Sequence, residues 1–222
     1  MKTVFAFALF ASAGTFAADI EAGLGLSDHA KKNDGYWYQE GFPHKLELKA
    51  LAVKVGVTGD LWQNNQVGIS YHANWVHLGA IHSQALAVPD DANYNLDTKK
   101  CNGPCLPLAN FVGSGHDQGL SLTLEPYKMV GGWRLAVEAG PYLHRPVWSE
   151  AVYNWQPDVS RAPTTVHVNN ESKWILGSVV GVSVGRGNFT VSYQRFSNRS
   201  PESDPYGPIW KGTNLLSVTY KF

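Results

Sequence analysis

Few residues of this 222-residue chain are spaced to do chemistry, and those few are spread widely. Cys101 and Cys105, the two cysteines, flank the turn-forming triplet Asn-Gly-Pro and so close a small ring. In a secreted chain, two cysteines this close predict a disulfide, contributing about 2 kcal/mol at most for so short a loop. A metal centre built from them with His82 or His116 would call for Cys-x-x-Cys spacing and a second cysteine pair, and neither occurs. The eight histidines form no His-Glu-x-x-His arrangement, so no metal and no cofactor is expected. Gly23/Gly25 and Gly185/Gly187 stand in strand and turn contexts, without the strand–loop–helix setting of a phosphate-binding loop. A hydroxyl in polar surroundings occurs at Ser197, followed by Asn198. Its neighbour Arg195 offers a guanidinium, which cannot accept the proton that a serine nucleophile must lose.

The segments that must position these groups begin with a leader. Lys2 precedes an apolar run from Val4 to Phe10, and small residues lead to Ala17 and Ala18. That is the pattern of a secretory signal peptide over residues 1–18, leaving one domain over 19–222. The mature chain then carries 17 basic and 18 acidic residues, a formal charge of −1, which gives no reason to expect nucleic acid. Hydrophobic content of 44% with 22 Gly, 8 Trp, 10 Tyr and only 2 Met suits strands and tight turns better than helices.

Period-2 alternation recurs along the chain. It predicts strands near 19–27, 45–58, 67–75, 120–125, 133–140, 174–185, 189–194 and 213–222. Residues 87–115 and 153–172 read as long irregular connections. The links between strands alternate long, short, long through the whole chain, an ordering that a soluble sandwich has no reason to adopt. The predicted fold is therefore all-β: an eight-stranded antiparallel transmembrane barrel with short periplasmic turns and long external loops. Trp62, Trp133, Phe189 and Phe222 lie near one set of strand ends and Trp75, Trp148 and Trp174 near the other, as two interfacial rims of aromatics would.

With the apolar parity facing lipid, the opposite parity places Glu21, Lys54, His72, Glu125, Arg134, Glu138 and Lys221 in the lumen. Matched signs favour a neutralised plug of ion pairs over a conducting or acid–base site, because buried charges must be paired. Glu21, Glu125, Arg134 and Lys221 should form one layer near the periplasmic ends, and Lys54, His72 and Glu138 a second.

Two resemblances add to this reading. The final strand, Thr213 to Phe222, with Tyr220 and a terminal Phe222, resembles the closing strand and assembly signal of Gram-negative outer-membrane β-barrels. That resemblance implies outer-membrane location, and as partners the barrel-assembly machinery and outer-membrane lipids including lipopolysaccharide. The stretch Tyr193-Gln-Arg-Phe-Ser-Asn198 resembles the lipid A 3-O-deacylase barrels, whose motif is His-x-Ser-Asn. It implies Ser197 as nucleophile and Asn198 as the neighbouring amide, with Glu202 or Asp204 as the acid. Arg195 stands where the base should be, so another residue, His144 or His167, would have to serve. The expected function is that of a filled barrel acting structurally or through its external loops, with an ester hydrolase of lipid A as the alternative.

Overall fold

The computed structural model describes residues 18–31, 49–86, 94–95, 100–101, 109–155, 162–171, 173–197 and 210–222. Residues 1–17, read above as most of a signal peptide, and Cys105, Asn198, Glu202 and Asp204 lie outside the described residues. The strands are β1 (Asp19–Lys31), β2 (Lys49–Gln63), β3 (Val67–Leu86), β4 (Tyr94–Asn95), β5 (Lys100–Cys101), β6 (Ala109–Val130), β7 (Trp133–Trp155), β8 (Thr164–Glu171), β9 (Ile175–Arg186), β10 (Phe189–Ser197) and β11 (Trp210–Lys221).

Eight of them close on themselves. Around the ring, β1, β2, β3, β6, β7, β9, β10 and β11 follow one another, every pairing is antiparallel, and β11 returns to β1. The protein is thus an all-β, closed, eight-stranded antiparallel barrel. β8 continues the wall above β9, pairing with the upper part of β7, while β4 and β5 make a separate two-stranded ribbon.

Alternation decides what each face carries. Leu24, Leu51, Leu122 and Val182 point outward and are each more than half exposed, while Glu21, Lys54, Asn74, Thr123, Glu138 and Ser192 are buried inside. This inverts the usual distribution, in which large apolar side chains are buried and charged ones exposed. Three tight turns join strands at one end. Val130 pairs with Trp133 across Gly131 and Gly132, and both glycines have positive φ, at 57° and 81°. That combination is the type I′ turn, whose twist matches the flanking strands. Arg186 pairs with Phe189 across Gly187 and Asn188, with positive φ at Gly187 alone, the pattern of type II′. At the third turn, Gln66 and Val67 donate their N–H groups to the side-chain oxygen of Asn64, both at 3.0 Å.

Three expectations are corrected here. Residues 109–115 are strand, since β6 runs 22 residues from Ala109, and β7 runs 23 residues through Pro141 and Pro146 to Trp155. Residues 164–171, read as loop, form β8. Trp148 belongs to no outer rim. The extended β7 keeps its parity, so Trp148 faces inward with 3% exposure, and Cβ atoms at Gly113 or Gly115 would strike its indole. Trp62, Trp75, Trp133 and Trp174 are outward and exposed.

The turn geometry can be tested directly. Nothing lies within 4 Å of a side chain built at Gly132, so Gly132→Val acts through the backbone alone. It is expected to cost about 1–2 kcal/mol, read as a lower urea midpoint of the refolded barrel. Gly132→Asn should lose much less.

Candidate functional site

The lumen is stacked in three zones, and the lowest is charged. His72 on β3 stands between two carboxylates, with Nδ1 3.0 Å from Glu21 Oε1 and Nε2 3.5 Å from Glu125 Oε1. Arg134 brings Nη2 to 2.7 Å from Glu125 Oε1, and the Ser183 hydroxyl donates to Glu125 Oε2 at 2.9 Å. Asn74 donates to Glu21 Oε1 at 2.6 Å, and Thr123 to Glu138 Oε2 at 3.2 Å. Arg134 also donates to Ser70, whose hydroxyl reaches Asp60, and its guanidinium lies 3.9 Å from the centroid of the Tyr127 ring. Carboxylates and cations from neighbouring and next-neighbouring strands thus pair with one another, as burial of charge demands.

All seven charged residues read from the sequence line one cavity of about 40 Å³, at the end that carries the short turns. That is room for water and too little for a substrate, whose sites run to about 300 Å³ or more. The expected two layers do not form. His72 bridges Glu21 and Glu125, merging the layers, because neighbouring strands are staggered and residues at different chain positions meet at one height. Lys221 leaves the network for the rim, pairing with Asp19 at 3.1 Å with both side chains 42% exposed.

Above the charges the lumen is lined by apolar side chains. Ala52, Val76, Leu78, Tyr142, Val179, Phe196 and Leu215, contributed by six strands, are each exposed 1% or less and form one apolar septum. The Tyr142 ring meets Phe196 edge-on at 4.8 Å and stacks on His144 at 4.6 Å.

The third zone lay hidden in the sequence. His144 Nδ1 is 2.8 Å from Asp117 Oδ1, with both side chains fully buried. His29 Nε2 is 2.7 Å from the Gly79 carbonyl and Nδ1 2.7 Å from the Thr213 hydroxyl. A carbonyl only accepts, so the proton sits on Nε2 and Thr213 donates to Nδ1. Trp210 packs on His29 at 4.5 Å and meets Trp148 edge-on at 6.2 Å. The signal was available: His29 shares the parity of Glu21 and Ser27, Asp117 that of Ser121 and Thr123, and His144 that of Arg134 and Glu138. Carrying the strands further would have found all three.

The segment around Ser197 lies on the opposite surface of the wall. Arg195 and Ser197 share the outward parity of Val191 and Tyr193, and Arg195 Nη1 donates to Asn214 at 2.9 Å. His144 faces inward and is held by Asp117, so it cannot serve as base for Ser197. His167 is exposed on β8, opposite Ala151. Cys101 lies in β5 opposite Tyr94. At the closing seam, Tyr220 meets Phe189 and Phe222 edge-on, each at 4.9 Å, and the Phe222 N–H donates to the Ile20 carbonyl at 2.9 Å.

No protein-family model matches the sequence, and no curated protein does. Among solved structures, the chain is similar to a crystal structure of Ail, the attachment invasion locus protein of Yersinia pestis, in complex with the heparin analogue sucrose octasulfate. Identity there is 13%, covering 92% of this chain and 99% of that one, with a TM-score of 0.43. A second crystal structure of Ail gives 13% identity over 92% and 97%, with a TM-score of 0.37. A backbone structure of the Yersinia pestis outer membrane protein Ail in a phospholipid bilayer nanodisc gives 12% identity over 92% and 99%, with a TM-score of 0.31. The eight-stranded closure described above rests on the strand pairing and not on these likenesses.

The ion-pair network yields an asymmetric expectation. Arg134→Met leaves Glu125, 6% exposed, without its guanidinium and is expected to cost about 3 kcal/mol. The double variant Arg134→Met/Glu125→Gln should recover a large part of that in urea unfolding of the folded barrel, because no uncompensated charge remains.

Proposed function

We propose that this chain is an outer-membrane β-barrel of a Gram-negative bacterium that acts structurally or through its external loops, and that it conducts no solute. One observation carries the reading: the wall is closed, apolar outside and polar inside, with the lumen sealed by the septum of Tyr142, Phe196 and their neighbours. A closed barrel leaves no strand edge unpaired in hydrocarbon, and an apolar outer surface is what lipid requires. The leader over residues 1–18 supports export, and export would put Cys101 and Cys105 where a disulfide forms. Outer-membrane lipids, lipopolysaccharide among them, and the barrel-assembly machinery are the partners this reading implies. An ester hydrolase centred on Ser197 is not favoured, since Arg195 bonds Asn214 and supplies no base.

The test is fractionation. The mature protein is expected in the outer membrane, with gel mobility that slows after heating, and without steady conductance in planar bilayers. Recovery as a soluble periplasmic protein would refute the location, and a stable open-channel current would refute the sealed lumen. Deleting Phe222 removes the outermost ring of the aromatic cluster at the seam. Assembled protein in whole cells is then expected to fall several-fold by immunoblot, whereas wild-type amounts would make that ring dispensable.

A further inference from the structure

At the end of the barrel that carries the tight turns, the cations are not spread evenly. Arg134 points inward onto Glu125, and Lys221 pairs with Asp19. Lys128 on β6 and Arg186 on β9 are placed differently. Both hold the outward parity of the apolar belt, after Leu122 and Leu124 on one strand and Val182 and Val184 on the other, and both are exposed. Among the described residues neither forms an ion pair. The outward positions around them are Val67, Pro126, Val130, Leu135, Val184 and Phe189, none of them acidic. Toward β10, the Phe222 carboxylate lies two strands from Arg186, past Phe189 and Tyr220. In the other direction, Asp60 lies two strands from Lys128, beyond β3, and accepts from Ser70.

Register ties the two cations together. Lys128 stands opposite Leu135, Leu135 opposite Val184, and Arg186 is two residues nearer its turn. Two strand spacings and two residues put the backbones of Lys128 and Arg186 about 12 Å apart, with β7 between them. The outward side chain at the foot of β7 is Trp133, 45% exposed, and the Arg186 guanidinium lies 5.3 Å from the centroid of its indole ring. A guanidinium held over an aromatic face still presents its N–H edge to an oxyanion. Lys128, on a flexible stem, can reach toward the same point from the other side of Leu135. Two cations thus flank an exposed indole at the lower border of the apolar belt. That order matches a lipid with its acyl chains on the belt and an anionic headgroup at the border.

We propose that Lys128, Arg186 and Trp133 form a site for the headgroup phosphate of an anionic glycerophospholipid in the leaflet next to the tight turns, with Leu135 and Val184 against its acyl chains. This rests on the membrane reading above and names a lipid class, and a place for it, that the reading leaves open. Short turns mark the periplasmic end of an outer-membrane barrel, where the leaflet is built of glycerophospholipids rather than lipopolysaccharide. Charge sets the selectivity. A zwitterionic headgroup carries its own cation beside the phosphate, and two protein cations would meet it like against like.

Phosphatidylglycerol, added to the refolded barrel in detergent and followed by native mass spectrometry, is the probe, with phosphatidylcholine of the same chains as reference. The wild type is expected to prefer phosphatidylglycerol about twentyfold, and each of Lys128→Gln and Arg186→Gln to cut that preference about fivefold. The double variant should show none. Lys221→Gln, at the same end but paired with Asp19, should leave the preference unchanged. Equal affinity of the wild type for the two phospholipids, or a preference that survives the double variant, would overturn the site. Diphosphorylated lipid A should bind the wild type and the double variant alike; a loss equal to that of phosphatidylglycerol would overturn the assignment to a glycerophospholipid. Heat-dependent gel mobility is recorded first for every variant, and the single variants carry the comparison if the double one does not fold. A wild type without that shift would refute the membrane reading itself, while a folded barrel without the preference refutes only this site.

Discussion

The structure depends on one seam. β1 and β11, at opposite ends of the chain, pair from Glu21 with Lys221 up to Lys31 with Trp210, and without that ladder two strand edges would be open. In water an open edge can be solvated; in hydrocarbon each unpaired peptide group costs several kcal/mol. Side chains reinforce the join from both faces. Inside, the Thr213 hydroxyl reaches His29 at 2.7 Å, and outside, the rings of Phe189, Tyr220 and Phe222 form a chain of edge-on contacts. Closure also fixes the inner radius, and the inner radius fixes what the lumen can hold. Eight strands leave space for side chains and little more. The charged cavity, the apolar septum and the histidine zone are consequences of that width.

Within so narrow a bore, polarity has to be arranged by height. Glutamates at 4–7% exposure are tolerated low in the barrel because His72, Arg134, the Asn74 amide and the hydroxyls of Thr123 and Ser183 reach them, with Lys54 lining the same cavity. Higher up, the same inward parity delivers Val76, Leu78 and Phe196, which pack into one apolar cluster. The septum separates two polar zones that would otherwise communicate.

The sequence was legible where the two faces of a strand contrast. Val55, Val57, Leu122 and Val182 alternate with Lys54, Gly56, Thr123 and Ser183, and a period of two is unmistakable there. The strand count, the closure and the seven lumen charges all follow from that contrast. It fades above the apolar belt. Along β6, outward Ser114, His116 and Gln118 alternate with inward Gly113, Gly115 and Asp117, so both faces look polar and the strand reads as loop. Pro141 and Pro146 hide the continuation of β7 in the same way. The upper histidines and Trp148 were missed for this reason alone. The motif around Ser197 was legible as an outward strand end, but residue spacing cannot say whether Arg195 engages a substrate or, as here, Asn214.

The unequal lengths of the strands also order the events by which the barrel is made. β6 and β7 pair from Val130 and Trp133, across two glycines, up to Asn110 and Tyr153. Each contact in that ladder closes only a short loop, so the hairpin can zip from its turn at little entropic expense. The seam is the reverse case: His29 and Thr213 are 184 residues apart, and nothing local favours their encounter. Loop-closure entropy therefore makes the hairpin an early nucleus and the β1–β11 join the final step. Until that step the chain is a curved, open sheet whose first and last strands are its only unpaired flanks within the eight-stranded ring. An open sheet of this shape is most exposed to intermolecular pairing at those two flanks.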